Sequence, residues 1–355
     1  MDRLIRLGLI NIWIAILLSA CGSGSAPGSN PSESSSSRVY IAGEYYDGSN
    51  LRACYWMDNN TTPATVGAPG QDSVSYALAV SSGHVYTAGY YHDGLYNRAC
   101  YWMDNNAIPT TVGAAGQSSY VLALAVYGGH VYTAGFYIDG SNSRACYWMD
   151  NNTTPTTVGA PGHDSFAIAL VVVGGHVYTA GYYHEGLYNR ACYWMDNNTT
   201  PTTVGGPGPN SIAFAIAVVG GHVYTAGVYD DGFGPRASYW TDNNTIPTMV
   251  GPQNSTAHAL AVSGGHIYTA GDYNDGTSVR ACYWTDNNTT PTMVGTAGQV
   301  SEAFAIAVSG GHVYIGGYYY DGSSVRACYW VDNSAIPTTV GALGINSYTR
   351  ALVVQ

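Results

Sequence analysis

The stretch Gly174–Gly205, GGHVYTAGYYHEGLYNRACYWMDNNTTPTTVG, recurs with small changes along the whole chain. The glycine of its VYTAG segment falls at Gly43, Gly89, Gly135, Gly181, Gly227, Gly271 and Gly317, a step of 46 residues broken once by a step of 44. A fixed period of this length is the signature of a repeat architecture. Within one period, the apolar run AFAIAV (Ala213–Val218) reads as a strand buried on both faces. Val219-Gly220-Gly221 then makes a tight turn, and HVYTAGVY (His222–Tyr229) is a second strand. An Asp-Gly or Glu-Gly turn leads to a third strand, RACYWMD (Arg190–Asp196), and Pro201 opens a fourth, TTVG. Four strands every 46 residues describe a propeller blade.

The two ends are complementary. The first copy enters on a second strand, at Arg38-Val39-Tyr40, and the last copy stops on a first strand, Ala351–Val354. Pairing them completes a shared blade and removes exposed sheet edges, which an open β-solenoid would leave. The expectation is an all-β, seven-bladed β-propeller over residues 38–355, with four antiparallel strands per blade and the C-terminal strand closing the first.

Residues 1–20 carry Arg3 and Arg6 and then an apolar run, Leu7–Leu18, which reads as a secretory signal. Leu18-Ser19-Ala20-Cys21 resembles the lipobox of bacterial lipoproteins. That resemblance implies lipidation of Cys21, a membrane anchor and, with Gly22 following, sorting to an outer membrane or cell surface. Residues 21–37, rich in Ser and Gly, read as a tether with a reach of roughly 20 Å.

The chain has no lysine, eleven arginines and a formal net charge of −11. An acidic surface without a basic patch argues against nucleic acid as a partner. Seven of the arginines are one repeated position, Arg52, Arg98, Arg144, Arg190, Arg236, Arg280 and Arg326. Six cysteines, Cys54, Cys100, Cys146, Cys192, Cys282 and Cys328, share one blade position with Ser238. Equivalent points on neighbouring blades stand too far apart for a disulfide, so free buried thiols are expected.

Three repeated polar positions invite a chemical reading. The His opening the second strand (His84, His130, His176, His222, His266, His312) is expected to bond locally, since ring positions are too far apart to share a metal. The acid of the second-to-third strand turn (Asp47, Asp93, Asp139, Glu185, Asp231, Asp275, Asp321) precedes the repeated Arg by five residues, and a pair within each hairpin is expected. The acid ending the third strand, Asp58 and its equivalents, reads as an Asx turn.

The order of apolar strand, turn, VYxxGG strand and Tyr-Trp resembles the kelch repeat. Val313-Tyr314-Ile315-Gly316-Gly317 matches its di-glycine strand, while the other copies have Ala-Gly, and Tyr193-Trp194 are adjacent rather than spaced. The blades also resemble Tyr-Trp-rich repeats of bacterial surface lipoproteins. The kelch resemblance implies a propeller that takes a ligand at one mouth, and it transfers no activity.

Near-identical blades with few departures (His92, His163, Asp164, His184, His258 and Glu302, all read as loop positions) point to a binding module for glycan or protein, expected as a monomer. A carbohydrate-active enzyme and a surface scaffold are the alternatives; no catalytic residues and no metal site are assigned. The inter-blade loops and second-to-third strand turns share one face and vary most, whereas the strands are almost fixed. The expected ligand contacts are therefore Gln71, Asp72, Gln117, His163 and Asp164, with Asp93 and Glu185 farther out. The acidic rim suits a neutral polyol, or a carbohydrate bridged by Ca²⁺.

Overall fold

The computed structural model describes residues 37–208 and 210–355. The readings for the leader, Cys21 and most of the tether fall outside them. The described residues form 28 strands, β1 to β28, in seven four-stranded antiparallel sheets with no helix. Blade 2 is typical, with β4 (Ser73–Ser81), β5 (His84–His92), β6 (Asn97–Met103) and β7 (Thr110–Thr111) in that order from the axis outward. The ring closes in blade 1, where β28 (Ser347–Val354) pairs with β1 (Val39–Tyr46), followed by β2 (Leu51–Met57) and β3 (Ala64–Thr65). The fold is thus the seven-bladed propeller expected from the repeat.

Two details differ from the reading above. The first strand begins two residues earlier, at a serine, as in β16 (Ser211–Val219). The fourth strand pairs over only two residues in every blade but the fifth, where β19 runs Thr248–Gln253.

Nearly every repeated residue has a packing cause. The inner and second strands are joined by a turn whose two central residues both have positive φ, as at Gly220 (62°) and Gly221 (83°). Each inner strand carries a bulge near its start, so that Tyr76, for example, has no partner while Ser75 faces Gly89 and Ala77 faces Ala88. The bulge pushes the Val74 carbonyl oxygen to 1.9 Å from where a Cβ on Gly89 would stand. The same contact recurs at Gly43, Gly135, Gly181, Gly227, Gly271 and Gly317, at 1.8–2.0 Å. The glycine that marks the period is therefore forced by the bulge.

The seams between blades repeat as strictly. Cys100 and Trp102 of blade 2 pack against Ala53 and Val66 of blade 1, and the same four positions meet between blades 2 and 3 and between blades 5 and 6. All seven tryptophans of the propeller are at most 1% exposed. The first serine of each inner strand crosses the seam. Its Oγ accepts the backbone N–H of the preceding blade's third strand, as Ser73 Oγ does from Ala53 at 3.1 Å. Equivalent bonds span the other six seams at 3.0–3.1 Å. The six cysteines are free and buried, as expected, and burial raises each thiol well above its usual range.

Candidate functional site

The repeated polar positions resolve into framework. In every blade the turn acid pairs with its arginine, the six aspartates at 2.9 Å (Asp47–Arg52) to 3.7 Å (Asp231–Arg236), and Glu185 with Arg190 likewise. On the opposite face, each of the six histidines holds the third-strand acid through Nδ1 at 2.8–2.9 Å, as His84 holds Asp104. That acid lies in the left-handed region, at φ 54–56°. Its other oxygen accepts the N–H of the residue after the histidine, as Asp104 does from Val85 at 2.9 Å. The Asx turn read at this acid belongs to the second residue beyond it, as Asn106 Oδ1 caps Ile108 N–H at 3.1 Å.

The loop residues expected to meet a ligand lie on the face of the inter-blade loops, and six of the seven make bonds that hold the frame. Gln71 and Gln117 donate through Nε2 to the carbonyls of His92 and Ile138 at the end of the second strand, both at 2.8 Å. Asp72 and Asp164 reach back across a seam to accept the N–H of Leu51 (2.9 Å) and Ser143 (2.6 Å). Asn210 and Asn346 do the same at two other seams. Asp93 caps Leu95 and Tyr96 and pairs with Arg98, while Glu185 pairs with Arg190. His163 is exposed and makes no hydrogen bond among the described residues.

Besides the variable loops and turns, three positions inside the strands also depart from sevenfold repetition. Three columns sit side by side at the loop-face end of the inner sheet. The residue after the seam serine reads Val74, Tyr120, Phe166, Ile212, Thr256, Glu302 and Tyr348. The bulged residue reads Tyr76, Leu122, Ile168, Phe214, His258, Phe304 and Arg350. The second-strand residue after the forced glycine reads Glu44, Tyr90, Phe136, Tyr182, Val228, Asp272 and Tyr318. The first and third columns face each other directly, as Glu302 faces Tyr318 and Tyr348 faces Glu44. His258 and Glu302 thus belong to β20 (Ser255–Ser263) and β24 (Ser301–Ser309), not to loops.

These side chains form a belt around the axis, linked blade to blade by ring contacts. Tyr76, Tyr90, Tyr120, Phe136, Phe166 and Tyr182 follow one another with centroids 4.7–6.0 Å apart. Phe214, His258, Phe304, Tyr318 and Tyr348 form a second run at 5.1–5.5 Å. The Arg350 guanidinium joins the two runs, 5.3 Å from the Tyr348 ring and 5.7 Å from the Tyr76 ring.

The belt has two arcs. Blades 3 to 5 supply aromatic and aliphatic side chains. Blades 6, 7 and 1 supply Asp272, His258, Glu302, Tyr318, Tyr348, Glu44 and Arg350. Glu44 is buried and chelated by Arg350, whose Nε lies 2.9 and 3.0 Å from its two oxygens. Burial raises the Glu44 carboxyl and the Arg350 guanidinium opposes that rise. His258 Nε2 meets Asp272 Oδ1 at 2.6 Å. Burial, and then the neighbouring Asp272 charge, raise Glu302, which is hydrogen-bonded to Tyr318. Burial also raises Tyr318 and pushes Tyr76 up to about 12. Glu302, Asp272, Tyr318, Tyr348, Tyr182 and Phe166 are only half-buried, so the belt presents polar and aromatic groups to solvent at the mouth. No group of three or more His, Cys, Asp or Glu side chains among the described residues is arranged to hold a metal ion.

Sequence reasoning missed Glu44, Asp272 and Arg350. A signal was present. Only four glutamates occur in the chain, and two of them are Glu44 and Glu302. Arg350 lies outside the repeated arginine position. Aligning the seven copies column by column along the strands exposes all three.

No family model matches the chain, and no curated protein sequence matches it. Solved structures do share its fold. A puromycin-hydrolyzing peptidase of Mycobacterium tuberculosis aligns with TM-score 0.52 and 12% identity over 86% of this chain and 52% of its own. A puromycin hydrolase mutant complexed with PGG aligns with TM-score 0.56 and 10% identity over the same shares. This chain therefore spans about half the length of the structures it matches, and at such identity the likeness is one of fold alone.

Proposed function

We propose that this protein is a membrane-tethered binding module that takes a carbohydrate chain at the axial mouth of its propeller. The supporting observation is that, within the otherwise repeated strands, blade-to-blade variation gathers in three adjacent columns at the mouth. The aromatic arc offers π faces to the apolar side of a sugar ring. The polar arc offers Glu302, Asp272, Tyr318 and Tyr348 to its hydroxyls. Hydrogen bonds to such groups give orientation, while the rings give contact area. The tether and the lipid on Cys21 belong to the same proposal and would present this mouth away from a bilayer.

The test is a glycan array probed with the full chain in detergent, with and without EDTA. The wild type is compared with Asp272→Asn/Glu302→Gln and with Gln71→Ala/Asp72→Ala, all of matched melting temperature. Loss of signal in the first variant and its retention in the second is the expected outcome. Equal binding by all three proteins, or no binding by any, would remove the proposal; consumption of a bound glycan would turn it into an enzyme.

A further inference from the structure

Blade 4 carries a second departure, away from the axis. A cleft of about 390 Å³ opens there, lined by His163, Tyr183, His184, Glu185, Trp194 and Thr203 among others. A substitution in the incoming loop accompanies it. In blades 2, 3 and 7 this position is Gln71, Gln117 or Gln299, whose amide spans from the loop to the carbonyl at the end of the second strand, at 2.8–3.0 Å. In blade 4 the position is His163, which makes no such bond, and the gap between loop and strand stays open.

The cleft wall contains an uncommitted donor. Trp194 is 1% exposed and its Nε1, like that of the other six propeller tryptophans, has no hydrogen-bond partner among the described residues; in blade 4 the cleft runs up to it. Trp194 and His163 line the same cleft. A buried N–H without an acceptor is costly and is normally satisfied by some partner.

We infer that this cleft is a ligand site of its own, for a neutral hydroxylated molecule of about monosaccharide size. Several features select that class. No Arg or Lys lines the cleft, Asp164 lies 3.7 Å from His184, and Glu185 is paired with Arg190, so the lining does not favour an anion. The Tyr183 hydroxyl is already engaged with Thr203 at 3.2 Å, leaving its ring as an apolar wall. Two imidazoles, each able to donate or accept, and one indole donor suit a set of hydroxyls. The volume lies at the small end of the usual range for ligand clefts.

The test follows indole N–H cross-peaks in ¹H–¹⁵N spectra of the full chain, with Trp194→Phe to assign the Trp194 peak. Methyl glycosides of glucose, galactose, mannose and N-acetylglucosamine serve as probes. At least one should shift the Trp194 peak saturably while the other indoles stay still. His163→Gln, which copies the plug of blades 2, 3 and 7, should abolish that shift and leave the remaining spectrum in place. Asp272→Asn/Glu302→Gln, at the axial mouth, should leave the shift unchanged, so this site and the mouth are read separately. A Trp194 peak that no glycoside moves, or one that moves equally in His163→Gln, would overturn the inference.

Discussion

Gly89 has no space for a methyl group, because the bulge sets a carbonyl oxygen 1.9 Å from its Cβ position. Gly89→Ala should therefore cost about 3 kcal/mol, the upper end of overpacking, in a denaturant titration. Gly206→Ala, where the nearest atom is 3.4 Å away, should change stability by less than about 0.5 kcal/mol. The hairpin acids make a second prediction. Backbone N–H groups and Arg52 hold Asp47 down to about 2, and Thr277 and Ser278 hold Asp275 there as well. A carboxyl lowered in the folded state stabilises above its unfolded value of about 3.9 and loses that contribution as pH falls through its folded value. Stability should thus decline between about pH 4 and pH 2, and Asp47→Asn should flatten the decline, as read from denaturation midpoints across that range. The period-marking glycines, the seven hairpin pairs and the local role of the six histidines were legible in the sequence, since six or seven copies repeat each of them. Glu44, Asp272 and Arg350 were not, because each occurs once, in a strand whose consensus hides it.

The strand pairings follow from turn chemistry, but the seams depend on residues distant in sequence. Ser165 is an example. Its hydroxyl accepts the N–H of Ala145 from the preceding blade, and Gly159 leaves it room. Ser165→Ala should strand that N–H inside the seam and cost about 1–3 kcal/mol. Cys192→Ser should cost less than the serine loss, since blade 5 already accommodates Ser238 at that position, where its hydroxyl donates to the Arg236 carbonyl; thermal melts of the two variants check the order. The existence and order of the four strands could be read from the 46-residue period. The bulge could not. It breaks the alternation by one residue in the middle of an apolar run, where periodicity carries no information. That bulge turns the seventh-copy variation toward the axis, so the site stayed hidden along with it.

For the whole molecule, closure joins the two ends of the described propeller through one blade, and the Glu44–Arg350 pair sits on that joint. Arg350→Met leaves a buried carboxylate without its partner and should destabilise by about 3–5 kcal/mol. Glu44→Phe/Arg350→Leu, which copies the residues of blade 3, should recover most of that loss, because replacing both members of a buried pair by apolar groups is often neutral. If the single and double variants melt alike, the pair is not what holds the joint. The seven blades, the closure and the face that carries the variable loops all follow from the spacing and the complementary ends. The position of the mouth residues follows only from the register of the inner strands.

On the proposed function, the unrepeated side chains of the axial belt, and not the loops around it, form the ligand site. The most direct measurement is the affinity of the array-selected glycan for three proteins of equal melting temperature: wild type, Asp272→Asn/Glu302→Gln, and Gln71→Ala/Gln117→Ala. Removing the axial carboxylates should weaken Kd more than about tenfold, equivalent to 1.4 kcal/mol or more, while the loop variant stays within about twofold. The reverse ranking, with the loop variant losing affinity and the axial variant keeping it, would contradict the account.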